Sequence, residues 1–209
     1  MTITQRGSMV RRILSAMVFL ILLVFAAPLL AQKADRAQVK VGDRWVFATR
    51  LGAAAVKSSD VTWVITAVTP TEIEGTENGQ PLVLTPELNV VRATLVENSN
   101  LELLSFPLKI GKRWRFANDS LLQSSGLRLH GTFSGAVVAY EKVRVPAGEF
   151  DTFKVRVKGS WATGGYTGRS SWICWYAPAA RAVVRTEYRT TLHELGLRTT
   201  ELSEIELQR

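Results

Sequence analysis

The chain has 209 residues, 46% of them hydrophobic, with a formal net charge of +8 and a single cysteine. This length is enough for one domain with a sizeable core, and one cysteine excludes an intramolecular disulfide. The sequence contains no phosphate-binding loop, dinucleotide fingerprint or nucleophile elbow, and no basic run with interleaved aromatic residues. We therefore expect neither a nucleotide-dependent enzyme nor a nucleic-acid partner.

Residues 1–31 have the pattern of a secretory signal peptide. Three arginines and no acidic residue accompany a nearly continuous apolar run over 13–27, and the small Ala31 follows it. This pattern predicts Sec export with cleavage after Ala31, with Met9 as an alternative start and an uncleaved anchor as the alternative interpretation. Because the three arginines leave with the signal, cleavage lowers the formal charge from +8 to +5. Gln32 stands where a lipoprotein would have its lipid-bearing cysteine, so we expect a free periplasmic or secreted protein without a stable membrane span.

Beyond the signal, nearly every segment alternates between apolar and polar residues. Residues 32–38 are predicted to form a loose leader, and residues 39–209 a single β-rich domain. Turn residues separate the alternating segments, which favours an all-β antiparallel meander that forms a barrel or half-barrel. One short helix is predicted near 118–123. The predicted strands are 44–51, 61–68, 72–77, 82–85, 89–96, 101–105, 113–117, 127–145, 151–161, 170–176, 182–192 and 197–207.

The same ten-residue phrase occurs twice, at 39–48 and at 108–117, with six identical positions. In each copy a glycine precedes a strand that places a tryptophan and a phenylalanine on one face, because they are two residues apart. Trp45 and Trp114 are these tryptophans. The repeat therefore predicts two related strands that each bury an aromatic pair, within one continuous sheet.

A strong hairpin signal lies around the turn Pro146-Ala-Gly148, where proline presets one backbone angle and glycine can adopt a positive φ. The alternation predicts that one face of this hairpin is apolar and that the other face carries five cations. One interpretation is an ordinary solvated face; the alternative is a docking patch for an anionic partner, such as a cell-envelope protein. The five cations are Lys142, Arg144, Lys154, Arg156 and Lys158.

The stretch 140–154, followed by 175–178 and 182–185, resembles exported bacterial β-proteins of the domain of unknown function (DUF) 3108-like group. Those proteins show a valine-proline-alanine-glycine-x-phenylalanine-aspartate turn, a tryptophan-tyrosine-x-proline strand end and an earlier leucine-x-x-glycine-x-x-tryptophan phrase. The resemblance implies a β-rich, barrel-like exported protein and no particular activity. The chain departs from the group at 179–181, where the group usually has a glycine-rich turn. The earlier phrase is matched by Leu108, Gly111 and Trp114.

Signs of enzymatic chemistry are few. His130 and His193 are the only histidines in the sequence, and neither has a cysteine or paired carboxylates at metal-ligand spacing. We expect no metal and no cofactor. A hydrolase that uses C-terminal glutamates, or His193 with a serine, is the minor alternative to a non-enzymatic protein.

Tryptophans suggest where a ligand would bind. The strand around Trp172 is apolar on both faces, which suits the wall of a barrel with either a packed interior or an apolar pocket. We predict that the protein binds a hydrophobic or amphipathic ligand, such as a lipid, or a cell-envelope component, and that an interaction module built on the basic hairpin is the alternative. The candidate ligand-binding residues are Trp45, Trp114, Trp161, Trp172 and Trp175.

Overall fold

The computed structural model describes residues 32–52, 56–191 and 197–209, so the predicted signal peptide lies outside the described residues. Residues Lys33–Arg209 form one compact unit. In the described ranges the only helix is a short 3₁₀ helix at Pro178–Ala180, and none is long and apolar enough to cross a membrane. The strands are β1 Lys33–Ala34, β2 Arg44–Leu51, β3 Val56–Val68, β4 Ile73–Glu77, β5 Gln80–Leu84, β6 Val90–Arg92, β7 Val96–Glu97, β8 Leu108–Lys109, β9 Arg113–Leu122, β10 Leu127–Val145, β11 Gly148–Thr163, β12 Tyr166–Ala177, β13 Ala182–Thr190 and β14 Leu197–Glu206.

Twelve of these strands form one antiparallel sheet in the order β6-β5-β4-β3-β2-β14-β13-β12-β11-β10-β9-β7. Strands that follow each other in the chain pair around most of the sheet, as in a meander, and β14 returns to pair with β2. A bridge between Ala93 and Val96 connects the two edge strands, so the sheet nearly closes. The predicted all-β antiparallel barrel is confirmed.

The ten-residue repeat folds into the same turn twice. Gly42 and Gly111 have φ of +88° and +87°, a conformation that favours glycine. The amide of Gly42 donates to the carbonyl of Ile65, and the amide of Gly111 donates to the carbonyl of Val137, both at 2.9 Å. The strands that follow, β2 and β9, then pair with β3 and β10. The sequence repeat therefore marks two equivalent starts of strands in the barrel wall.

The segment predicted as a loose leader is held in place. Its strand β1 pairs with β8, with Ala34 opposite Leu108, and both side chains are buried. Leu108 belongs to the second copy of the repeat. Leu108 and Ala34 are members of the same cluster of buried hydrophobic side chains. The prediction of a loose segment at 32–38 was wrong because hydrophobic contact with a distant segment orders a stretch that looks polar by itself.

Three other elements differ from the predictions. The predicted strand 89–96 is split into β6 and β7, which lie at opposite edges of the sheet order. No helix forms near 118–123, because β9 continues to Leu122 in register with β10. The segment 101–105 is not a strand; the side-chain amide of Asn89 instead bonds both the N–H and the C=O of Leu104, at 2.9 and 2.8 Å. This pair of bonds mimics one step of a strand ladder and places Leu104 in the core, where it is 1% exposed.

The interior is packed with apolar side chains at the end of the barrel that carries the two repeat turns. Some of these side chains alternate with exposed residues, as Val137 does with Val138 and Val155 with Arg156, whereas Tyr176 lies between the buried Trp175 and Ala177. Burial of each contributes about 1.5–3 kcal/mol, which is how a fold without disulfides is stabilised. They include Ile65, Val137, Phe153, Val155, Tyr176 and Leu202.

Candidate functional site

Toward the other end of the barrel the interior is not filled, and it contains a cavity of about 720 Å³. This volume lies in the range of about 300–1,000 Å³ that is typical of small-molecule sites. Successive interior positions of the barrel strands line it. The turns between β9 and β10 and between β11 and β12 lie at this end, because antiparallel neighbours bring alternate turns to the same end.

Aromatic rings form much of the cavity wall. Phe47 packs edge-on against Trp63, with ring centroids 5.4 Å apart. Across the barrel, Trp172 contacts Phe133 at 5.6 Å and Tyr188 at 4.9 Å. All five rings line the cavity, and such rings offer large, rigid apolar surfaces to a ligand.

A set of polar side chains lies on the cavity wall close to the turns. Asn118, only 4% exposed, donates from Nδ2 to Ser120 Oγ at 2.6 Å. Within the described ranges, neither Asn118 Oδ1 nor Thr163 Oγ1 has a hydrogen-bond partner. An unmatched buried polar atom costs about 1–3 kcal/mol, and both Asn118 and Thr163 line the cavity. The Trp161 indole is already satisfied, since it donates to Ser170 Oγ at 3.0 Å.

Two glycines make room for these groups. Asn118 pairs with Gly131, which pairs with Trp161 on the next strand, and the Phe133 ring lies over Gly131, where a Cβ atom would come within 2.5 Å of it. The Trp161 ring lies over Gly168, where a Cβ atom would come within 2.3 Å of the ring. Glycine inside a strand is the sequence signal that could have pointed to this site, because it marks close approach of another group.

Three of the five predicted tryptophans line the cavity: Trp45, Trp161 and Trp172. The Trp45 indole also donates to the carbonyl of Ala180 at 2.9 Å, which fixes the ring. Cys174 lines the same wall as Trp172, and complete burial raises the pKa of its thiol to about 12. The cysteine is therefore an inert part of the wall.

The other two tryptophans do not line the cavity. Trp114 lies over Gly135 and donates to the carbonyl of Glu102 at 3.1 Å. Trp175 is three residues from Trp172 and faces the other side of β12. Its indole donates to Glu141 at 2.7 Å, and the cations of Lys154 and Arg185 each lie 5.1 Å from the ring centroid. This hydrogen bond is the largest cause of the lowered pKa of Glu141.

The five predicted hairpin cations do not share one face. Val145 pairs with Gly148 across the turn, and as a result Lys142 faces Asp151 and Arg144 faces Glu149. Lys142 lies 3.4 Å from Asp151, and Arg144 lies 3.6 Å from Glu149. Because residues three apart in a strand point to opposite sides, the remaining cations are on the other face from Asp151. The expectation of a single face was wrong because the turn sets a register that the alternation alone does not reveal. The remaining cations are Lys154, Arg156 and Lys158.

The structure locates some of the residues that were considered for catalysis or metal binding. In the described ranges no three side chains of the metal-binding types are grouped together. The His130 side chain is 62% exposed, with Nδ1 3.5 Å from Asp119. Glu204 pairs with Arg44 at 3.3 Å on the surface. His193 lies outside the described residues, so the hydrolase alternative that uses it stays a prediction.

No family model matches the chain, and no curated protein matches it. Among solved structures, a candidate lipoprotein from Parabacteroides distasonis is similar, with a TM-score of 0.55 and 15% identity over 84% of this chain and 100% of that chain. A candidate exported protein with a YmcC-like fold from Bacteroides fragilis has a TM-score of 0.48 and 16% identity, over 83% and 99%. The hypothetical lipoprotein YmcC from Escherichia coli has a TM-score of 0.48 and 9% identity, over 79% and 86%. The first of these likenesses shows that the fold is shared, and says nothing of activity.

Proposed function

We propose that this protein is an exported, non-enzymatic binding protein whose barrel cavity holds an amphipathic molecule. The proposal rests on the cavity, which has a volume of about 720 Å³, an aromatic wall and polar side chains near one end. Export rests on the signal pattern of residues 1–31. Membership of the DUF 3108-like group stays a prediction from the hairpin motif.

The apolar part of the ligand would lie against the tryptophan wall. Trp45, Phe47 and Trp172 are contributed by two separate parts of the barrel, so a hydrocarbon chain between them is enclosed from both sides. Burial of one methylene contributes about 0.8 kcal/mol, so a chain of roughly ten carbons gains on the order of 8 kcal/mol before the costs of ordering it.

The polar end favours a ligand head that donates hydrogen bonds. Asn118 Oδ1 is an acceptor without a partner among the described residues, and a carboxylate has no proton to offer it. A hydroxyl or an amide N–H does, and the Thr163 hydroxyl serves as donor or acceptor to the same group. A hydroxyl-headed lipid such as a monoacylglycerol therefore fits this end better than a fatty acid does.

Native mass spectrometry of residues 32–209, purified gently, tests the proposal together with tryptophan emission before and after organic extraction. We expect a bound lipid whose removal shifts the emission, and restoration of the emission by a medium-chain monoacylglycerol. The matching fatty acid should bind at least tenfold more weakly, because a lost hydrogen bond to a buried polar group costs about 1–3 kcal/mol. A bare protein that shows no emission change with either lipid would refute the proposal.

Two adjacent threonines on β14 provide matched variants. Thr200 lines the cavity, where its hydroxyl lies 3.3 Å from that of Thr49, whereas Thr199 faces the other side of the strand. Thr200→Phe fills space that the chain would occupy, and we expect at least tenfold weaker binding from the loss of about two methylene contacts. Thr199→Phe should bind as the unmodified protein does. Equal binding by both variants would contradict the assignment of the cavity.

A separate substitution tests whether the polar end of the cavity contacts the head group of the ligand. Asn118→Leu keeps the volume and removes the acceptor, so it should abolish the preference for the hydroxyl head while leaving fatty-acid binding unchanged. A preference that survives this substitution would show that Asn118 does not contact the head group.

A further inference from the structure

The side of the sheet opposite the cavity carries a row of cations across five strands. Arg115 pairs with Ser134, Ser134 with Lys158, Lys158 with Ser171, and Ser171 with Arg189. Directly opposed residues of an antiparallel sheet point to the same side, so this row alternates cation and serine from β9 to β13. Neighbouring strands lie about 4.8 Å apart, which separates successive cations by roughly 10 Å.

Three more arginines flank this row, each two residues along its strand from a member of the row. They are Arg113, Arg156 and Arg169, and all six cations are exposed. We call Arg113, Arg115, Arg156, Lys158, Arg169 and Arg189 the basic face.

The cations of the basic face are not paired with carboxylates in the described ranges. Glu187 lies on the same side of the sheet, opposite Ile173 and two residues from Arg189, but its carboxylate pairs with Arg185 at 2.7 Å. In the parts of the chain that the structure describes, none of the six cations forms an ion pair within 4.0 Å, whereas Arg44, Arg128 and Lys142 elsewhere on the surface do. A solvated face normally mixes both signs of charge. Six like charges without ion-pair partners repel each other across one face. Such an unfavourable arrangement is expected where the surface binds a partner of opposite charge.

Hydroxyl groups fill the space between the cations. A shallow groove on this face is lined by Thr132, Ser134, Ser160, Ser171 and Thr191 along with four of the six cations, and no carboxylate lines it. Guanidinium, ammonium and hydroxyl groups together are the donors that bind phosphate oxygens. The only aromatic residue of the groove is Phe133, which is buried at 4% exposure.

We propose that the basic face docks on a membrane surface that contains anionic phospholipids. A protein partner would be expected to use an exposed aromatic or aliphatic anchor, and the groove offers only donors of charge-assisted hydrogen bonds. Clusters of cations near an anionic leaflet add about 1 kcal/mol each to binding. The inference does not depend on the ligand proposed for the cavity. It does place the cavity beside the membrane, since Phe133, Ser170 and Thr190 line both the groove and the cavity.

Vesicle co-sedimentation of residues 32–209 tests this proposal. Vesicles of phosphatidylcholine with one third phosphatidylglycerol should bind the protein, and vesicles of phosphatidylcholine alone should not. Binding should be lost at 0.5 M salt because the Debye length falls well below 10 Å. Equal binding to both kinds of vesicle, or binding to neither, would overturn the proposal. Retention on an acidic polysaccharide without vesicle binding would also overturn it, in favour of a polysaccharide partner.

Two pairs of substitutions, one on the basic face and one on the hairpin, each remove one lysine and one arginine, so the resulting variants have the same net charge. Lys158→Gln with Arg189→Gln removes two members of the basic face and should weaken vesicle binding about 25-fold, at fivefold for each cation. Lys142→Gln with Arg144→Gln removes one lysine and one arginine from the opposite face of the hairpin and should change binding less than about threefold. Equal weakening by both pairs would show that net charge alone attracts the protein. Far-UV circular dichroism and urea unfolding confirm that each variant is folded.

Discussion

Removal of the Asp43 carboxylate should destabilise the barrel strongly, because this group joins three separate parts of the chain. Asp43 is 0% exposed. It accepts hydrogen bonds from the backbone amides of Lys40 at 2.9 Å and Gln208 at 2.8 Å, and from the guanidinium of Arg181 at 3.0 and 3.2 Å. The carboxylate thus holds the start of β2 against the turn after β12 and the segment after β14, at the place where β2 and β14 pair.

The magnitude follows from what the substitution leaves behind. Asp43→Ala leaves two backbone amides without their acceptor, at about 1–3 kcal/mol each, and one guanidinium without its partner. The Arg181 side chain is 23% exposed, so water recovers part of its loss. We expect a total of about 4 kcal/mol, within the range of about 3–5 kcal/mol for a broken buried pair.

A double-mutant cycle with Arg181→Ala isolates the pair. Arg181→Ala alone should cost about 2–3 kcal/mol, and the double variant should cost about 1–3 kcal/mol less than the sum of the two single variants. Urea unfolding followed by far-UV circular dichroism gives the three free energies of unfolding, provided the m-values agree. A loss below about 1 kcal/mol for Asp43→Ala, or strict additivity in the double variant, would refute the reasoning.

Two further predictions concern the core. Burial raises the pKa of the Cys174 thiol to about 12, so above about pH 9 the unfolded chain releases this proton while the folded chain retains it. The free energy of unfolding should therefore fall as the pH rises beyond 9. Cys174→Ala should reduce the slope of that fall by about 1.4 kcal/mol per pH unit, measured by urea unfolding at pH 8 to 11. Equal slopes for the variant and the unmodified protein would contradict the burial of the thiol. Gly75→Ala should cost about 3 kcal/mol, because its Cβ would lie 2.4 Å from the backbone carbonyl of Val64. Gly135→Ala should cost about 1 kcal/mol in the same assay, since only the half-buried Trp114 ring must move; the reverse order would show that the strand yields more easily than the ring.

Local alternation was enough to locate many of the strands. The predicted ranges 44–51 and 127–145 coincide with β2 and β10, because the period of two and the flanking turn residues are properties of the segment itself. The repeat likewise indicated two equivalent turns, since few residues other than glycine adopt the positive φ that each turn requires. The prediction that Trp161 and Trp172 form a barrel wall agrees with their place on the cavity, whose ligand remains to be tested.

Alternation misled where the interior is polar. Asn118 and Ser120 are buried on the cavity wall, although a short helix and not a strand was predicted over 118–123. A polar residue is buried there because β10 offers Gly131 beside it and the adjacent interior is open. Neither fact is a property of the segment 118–123.

Tertiary structure alone decided which cations share a face. Arg115, Lys158 and Arg189 come from three strands far apart in the chain, and only the order and register of the sheet align them. Lys142 and Lys154 belong to one hairpin, yet the turn directs them to opposite sides. The sequence by itself determined where many of the strands run and how side chains alternate within each of them, since these depend on neighbouring residues. Register and closure depend on the lengths of turns and on packing between distant segments, so the cavity and the basic face exist only in the assembled barrel.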